Sequence, residues 1–438
     1  MDDQNLSPKQ TEDDEGEYHF LKETVKEKPI SGRRVLSKAL FAIVCGALFG
    51  VTAAGVFYGV TTSAKSRAAS RVTFSEDEGG EAMSSSAPAV ETPTETSTPT
   101  PTPTETQPTE QDENALALAD YETLNAAMKE IADKANVSVV EVTGIKSQED
   151  WFQRTDTSTV TQSGLIVANN GTSLLILTSS DSVAGANEIA VTMPDETIAR
   201  ASLVKRDSNT GLCVVSIPLN TLGESTLASC AVADLGNSYT VSTGDSVIAI
   251  GSPLGYSDSV AYGEITSTKN TVSVVDGEYN LLTTDIQGSP DGNGFLINLK
   301  GQVVGCIFQK YATQNTAVVT GVPISLLKYL IEELSNNSSL SYAGIHGQSV
   351  TREISKSSGI PVGVYISAVE ADSPALAAGL QAGDILVKMD GLDVSSMQLV
   401  HNKLTSMKPG DTVPIKVERT GPDGYVEFDF QLTIGEAK

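Results

Sequence analysis

Thr284-Asp-Ile-Gln-Gly-Ser-Pro-Asp-Gly-Asn-Gly-Phe-Leu-Ile-Asn-Leu-Lys-Gly301 decides how the rest of the chain is read. Its centre, from Gly288 to Gly294, is built of residues that favour turns, and short apolar runs lie on both sides of it. Moving outward, those runs fall at 138–142, 164–167, 173–178, 188–193, 213–217, 245–250, 302–308 and 317–321. Runs this short, punctuated by Gly, Asp and Asn, predict an all-β barrel or sandwich. Helices frame them: Leu116, Tyr121, Leu124, Met128 and Ile131 recur at helical spacing within 115–135, and 324–334 is amphipathic.

With 438 residues, 39% hydrophobic and 19% charged, the chain has material for two folded units plus extensions. Its formal charge of −26 argues against nucleic acid, which selects basic patches. Residues 1–38 are polar and densely charged without apolar periodicity, and predict a disordered tail. Residues 39–60 carry no charge and are long enough to cross a hydrocarbon layer, so a retained signal anchor is expected there. Basic residues before this span outnumber Lys65, Arg67 and Arg71 after it, which puts the N-terminus in the cytoplasm. Residues 61–114 are rich in Ser, Thr, Pro and Glu and predict a disordered, semi-rigid stalk. Of the four cysteines, Cys45 lies in the apolar span; Cys213, Cys230 and Cys306 lack metal-ligand spacing, and no metal or cofactor is expected. Cys213 and Cys306 read as buried free thiols, with a Cys213–Cys306 disulfide as the other reading.

Particular motifs give this outline a family. The stretch 284–301 resembles the nucleophile loop of HtrA/Deg-type serine proteases: Thr284-Asp285 opens it, Pro290 sits inside and Leu296-Ile-Asn-Leu-Lys-Gly301 closes it. Ala135-Asn-Val-Ser-Val-Val140, Ser163-Gly-Leu-Ile-Val167, Gly244-Asp-Ser-Val-Ile-Ala-Ile-Gly-Ser-Pro-Leu-Gly255 and Val322-Pro-Ile-Ser325 follow the family in the same order. The resemblance implies a trypsin-like double β-barrel over 115–335. It also places Asp181 where the family has its histidine, Gly211 where it has its aspartate, and Asn293, or Gly292 with the one-residue gap placed differently, where it has its serine.

A serine protease needs a hydroxyl, an imidazole to take its proton and a carboxylate to orient the imidazole. The three histidines of the chain are His19, His346 and His401, none of them between 115 and 335. Losing the nucleophile or the base costs on the order of 10⁶ in turnover. The sequence therefore leads to the expectation of an inactive protease homologue. Lys205, Lys269, Lys300 and Lys310 as substitute bases, and Asp181 with Asp291 as a carboxylate pair, read more simply as surface lysines and turn aspartates.

The stretch 340–436 resembles a PDZ domain of the bacterial HtrA type, carried by Tyr342-Ala-Gly-Ile345, by Gly359-Ile-Pro-Val-Gly-Val-Tyr-Ile366 and by the run from Ser373-Pro-Ala375 to Gly383-Asp-Ile-Leu386. The resemblance implies that backbone N–H groups of Tyr342, Ala343, Gly344 and Ile345 receive the terminal carboxylate of a ligand strand. Met397, Val400, His401 and Leu404, on a helix starting near Ser395, divide between core and groove, and their aliphatic character predicts ligands ending in an apolar residue.

Taken together, these readings give a mainly β, membrane-anchored, extracytoplasmic protein that binds peptides, protein C-termini, or unfolded and exported proteins. It would act as a scaffold, sensor or regulator. The alternative is an active HtrA-like endopeptidase with a rearranged site; attachment through the stalk alone is the weakest reading. Relatives assemble as trimers, so a homo-oligomer, or assembly with active relatives, is implied; Trp151-Phe152 could serve that interface or fill a core.

Overall fold

The computed structural model describes residues 69–77, 110–149, 155–312 and 317–437. The tail 1–38, the apolar span 39–60, most of the stalk and Trp151-Phe152 lie outside the described residues. Among the described residues, no helix is long and apolar enough to cross a membrane.

Twelve strands make two closed six-stranded barrels. The first contains β1 (Val139–Glu149), β2 (Thr155–Asn169), β3 (Ser173–Ser179), β4 (Glu188–Thr192), β5 (Ile198–Asp207) and β6 (Leu212–Pro218), in the order β1-β2-β3-β6-β5-β4. The second contains β7 (Ser246–Ser252), β8 (Ser259–Val274), β9 (Gly277–Gln287), β10 (Asn293–Asn298), β11 (Val303–Phe308) and β12 (Val318–Pro323), in the order β10-β11-β12-β9-β8-β7. All eight apolar runs became strands. Four more strands, β5, β8, β9 and β10, were not among the runs.

Burial on both faces explains the legible strands. In β2 and β3, Ile166, Leu174 and Ile176 point into the first barrel, while Leu165, Val167, Leu175 and Leu177 face a second cluster shared with Ile248, Ile250, Phe295 and Ile297 of the second barrel. A strand apolar on both faces reads as a continuous run. Helix α2 (Ile324–Ser335) closes the same cluster with Ile324, Leu327, Ile331 and Leu334, all fully buried. Helix α1 (Glu110–Asn136) forms as expected. Ala132 and Ile131 pack on the core, but Leu118, Tyr121 and Leu124 stay exposed.

The stalk expectation is corrected at both ends of the described part. Residues 69–77 pack on α2: Val72 is buried, its N–H donates to Asn336 Oδ1 (2.9 Å), and Asp77 accepts from Ser325 Oγ (2.5 Å) and Lys328 Nζ (2.7 Å). The linker also ends earlier than 114, because α1 begins at Glu110.

The C-terminal part holds a sheet in the order β14-β15-β16-β18-β19, with β17 against β16. Its strands are β14 (Ile345–Val350), β15 (Gly363–Val369), β16 (Ile385–Met389), β17 (Leu392–Asp393), β18 (Thr412–Gly421) and β19 (Gly424–Thr433). β13 (Ser341–Tyr342) pairs separately with β20 (Gly435–Glu436). Helix α3 (Met397–Thr405) starts one residue later than expected, at the Ser396 cap, whose side chain accepts from Leu399 N–H.

Candidate functional site

A cleft of about 460 Å³ lies on the ends of β3, β6, β10 and β11, and Asp181, Gly211 and Asn293 all line it. The fold therefore brings the three positions together although they are far apart in sequence. Each is fixed by hydrogen bonds, two within their own turns and one across the barrels. Asp181 sits on a short 3-10 turn after β3, where its N–H donates to Ser179 Oγ (3.3 Å). Gly211 ends a turn organised by buried Asp207, whose carboxylate accepts from Thr210 N–H (2.9 Å) and Thr210 Oγ1 (2.6 Å). Ser180 N–H donates to Gly211 O (2.8 Å) and ties the two turns together. Asn293 opens β10 and accepts Ser163 N–H at Oδ1 (2.7 Å).

The loop before Asn293 is bonded both within itself and to neighbouring segments. The N–H groups of Gly288, Ser289 and Gly292 donate to Ala317 O (2.5 Å), Pro253 O (3.2 Å) and Ser289 O (2.8 Å), and Asp291 N–H to Ser289 Oγ (3.3 Å).

Of the four lysines weighed as bases, the structure brings Lys310 to the cleft. Its side chain crosses from the turn after β11, and its Nζ donates to Thr210 O (2.5 Å), 5.5 Å from the Phe308 ring centre and 5.0 Å from that of Tyr311. The residue is exposed overall, with its ammonium partly covered at the cleft edge. Burial lowers the Lys310 pKa, and the Asp181 and Asp207 charges pull it back up. Gly211 has φ of 77°, and a Cβ there would meet Lys310 Nζ at 3.4 Å and Ser180 Oγ at 3.7 Å. An ammonium and a hydroxyl thus flank one point where the side chain of the family's aspartate would begin. Lys310 is exposed, as a surface lysine is, yet its Nζ reaches the Asp207 turn 100 positions away, a contact that no signal in the sequence announces. Lys205, by contrast, pairs with Glu436 (3.6 Å).

Tyr342, Ala343, Gly344 and Ile345 form the loop leading into β14. Ala343, Gly344 and Ile345 direct their N–H groups at the Asp276 carboxylate, at 2.8 to 3.0 Å. Met397, Val400 and Leu404 are buried in the core of this part. His401 faces outward from that core, and its Nδ1–H donates to Asp276 O (3.1 Å). Among the described residues, no group of three or more His, Cys, Asp or Glu side chains is arranged to hold a metal.

Comparison with known proteins fits this architecture. Residues 162–306 match the model of the trypsin-like peptidase domain, and residues 333–428 match that of the PDZ domain. The chain is therefore a trypsin-like peptidase-domain protein carrying a PDZ domain. It is similar to a probable periplasmic serine endoprotease DegP-like of Halomonas elongata, 32% identical over 281 residues, covering 63% of this chain and 56% of that protein. It is also similar to the serine protease Do-like HtrB of Bacillus subtilis, 31% identical over 279 residues and 59% of either chain. A third relative, the serine protease Do-like HtrA of Lactobacillus helveticus, is 27% identical, covering 60% of this chain and 66% of that protein. The chain thus spans 56% to 66% of the length of these curated relatives. Among solved structures, the HtrA-type protease AlgW with decapeptide shares the fold, with TM-score 0.53 and 22% identity over 70% of this chain and 98% of that one. The chain is thus similar to HtrA-like serine proteases over its peptidase-like and PDZ-like regions.

These comparisons overturn the expectation of an inactive homologue. The relatives are named as serine proteases or a probable serine endoprotease, and none of these names marks an inactive homologue. That expectation rested on Asp181, Gly211 and Asn293 and on the lack of a histidine between 115 and 335, and changed family positions do not by themselves define what a cleft can do.

Proposed function

We propose that the protein is an extracytoplasmic, HtrA-like serine endopeptidase whose catalytic groups have been rearranged within the inter-barrel cleft. The observation that carries this reading is the placement of Lys310 Nζ and Ser180 Oγ around one point above Gly211. A desolvated lysine can serve as the base for a serine. Once neutral, the Lys310 amine takes the Ser180 hydroxyl proton as Oγ bonds to the scissile carbonyl carbon. The proton passes to the leaving amine as the C–N bond breaks. Water then repeats the sequence on the ester, releasing the acid and restoring Ser180. The lowered Lys310 pKa favours the neutral amine that the first step needs.

Substrates in this reading are exported or unfolded polypeptides, consistent with relatives named as periplasmic or Do-like proteases. The PDZ loop Tyr342–Ile345 would take polypeptide C-termini, beside His401 at the groove. Residues 39–60 would hold the protein at the membrane with the N-terminus in the cytoplasm, and the barrels would carry a homo-oligomer.

The test is casein cleavage and fluorophosphonate labelling of the full chain, beside Ser180→Ala and Lys310→Met. The expected outcome is cleavage and labelling at Ser180 in the unaltered chain, falling by about 10³-fold or more in either variant. A chain that neither cleaves nor labels overturns the reading. Cleavage that persists in both variants assigns the chemistry to other groups.

A further inference from the structure

The β8–β9 hairpin of the second barrel keeps Val274 and Tyr279 in the cluster between the barrels and carries its turn to the PDZ part. Val274 pairs with Gly277 across its tip, leaving Val275 and Asp276 as the turn, with Asp276 at φ of 57°. Asp tolerates that left-handed conformation better than most residues. The tip lies along β14, the edge strand of the PDZ sheet. Val275 forms an antiparallel bridge with His346, Asp276 N–H donates to Ile345 O (2.7 Å), and Ser273 Oγ donates to Gly347 O (2.9 Å). On the opposite side, α3 reaches the tip through His401 Nδ1–H, which donates to Asp276 O (3.1 Å). A segment held between an edge strand and a helix in this way takes the place that an added strand would take, with one antiparallel bridge to the edge.

The end of this added strand carries the recognition chemistry. Asp276 is buried, and its two carboxylate oxygens accept four bonds from three consecutive N–H groups. Ala343 donates to Oδ2 (2.8 Å), Gly344 to Oδ1 (2.9 Å) and Oδ2 (3.0 Å), and Ile345 to Oδ1 (2.9 Å). Successive backbone N–H groups pointing inward form an anion-binding nest, and hydrogen bonds to an ionised acceptor are about twice as strong as neutral ones. A buried carboxylate is retained only where such bonds replace its water. The site is built for one carboxylate, and one of this chain's own fills it.

We infer that the β8–β9 hairpin is a ligand of the PDZ groove carried in cis, with the Asp276 side chain standing in for a terminal carboxylate. A polypeptide C-terminus therefore binds by displacing the hairpin of the peptidase domain. This inference rests on the reading of the Tyr342–Ile345 loop as the peptide-carboxylate site.

Two readouts on the full chain test it, comparing the natural sequence with Asp276→Asn, which keeps the turn preference and removes the charge. The first is hydrogen exchange at Ala343, Gly344 and Ile345. These amides are expected to exchange at least tenfold faster in the variant; unchanged protection overturns the inference. The second is binding of a fluorescent decapeptide pool ending in Leu, Val, Ile, Phe or Ala, as the free acid and as the amide. The free acid is expected to bind the variant at least tenfold more tightly than the natural chain, and the amide to bind neither. Equal binding of the free acid to both chains overturns the cis ligand. Freed amides in the variant with no preference for acid over amide would instead overturn the reading of the loop, leaving the hairpin contact as packing alone.

Discussion

Cys213 and Cys306 show how far a residue's behaviour follows from where its strand lies. Both thiols are free and buried, Cys213 among the first-barrel core and Cys306 in the cluster between barrels. Burial pushes each up to about 12. Cys230 is also free but only partly covered, on the loop after the first barrel. Iodoacetamide at pH 8 on the native protein should therefore modify Cys230 on the order of 10² times faster than Cys213 or Cys306. The measurement is mass spectrometry of each cysteine peptide with time; equal rates would contradict this burial. Of the two sequence readings, buried thiols hold and the Cys213–Cys306 disulfide does not. The apolar runs around these cysteines announced their burial, whereas Lys310 gave no such sign, because its neighbours at the cleft come from β3 and the Asp207 turn.

Elements differ in how openly the sequence declares them. The run Leu174-Leu-Ile-Leu177 was legible because both its faces are covered. Strand β8 has mostly exposed or half-covered residues, with Ser259, Ile265 and Val274 its only buried side chains, so no apolar run marks it. The Asp276-Gly277 pair between two extended segments was the available hairpin signal. Segment 69–77 was submerged in a composition that predicted disorder, yet a few side chains fix it to α2. The Asp77–Lys328 pair is central, both side chains being close to nine-tenths buried. Removing one partner of a buried pair strands the other charge, at a cost of about 3–5 kcal/mol. In Asp77→Ala the segment should come loose, and trypsin should cut after Arg71 markedly faster than in the natural chain. An unchanged rate of cleavage there would mean that Asp77 does not hold the segment.

At the scale of the molecule, the PDZ part has its own core and its own electrostatic lock. Asp384, fully buried, is held by Arg419 through two bonds, Nε to Oδ1 (2.6 Å) and Nη2 to Oδ2 (2.9 Å). The guanidinium also stacks near Phe428 and Phe430, with ring centres at 5.1 and 5.8 Å. Asp384→Ala should destabilise this part by about 3 kcal/mol, at the low end for a buried pair because Arg419 remains partly exposed. Calorimetry should then resolve a PDZ transition below that of the barrels. A single unshifted transition would show that the lock adds nothing.

The sequence by itself determined a mainly β chain, because turn-separated apolar runs are local properties, and the resemblance of its motifs to a known family implied the double barrel and the PDZ domain. It also located Asp181, Gly211 and Asn293, which the fold gathers into one cleft. Tertiary structure alone decided what surrounds them: the Lys310 ammonium and the Ser180 hydroxyl flanking the space above Gly211, and the loop before Asn293 bonded to Pro253 and Ala317. It alone placed Asp276 in the PDZ loop, across a separation of 67 to 69 residues. A carboxylate in a turn looks the same in sequence whether it faces water or three N–H donors. Only closure of the chain on itself chooses between the two.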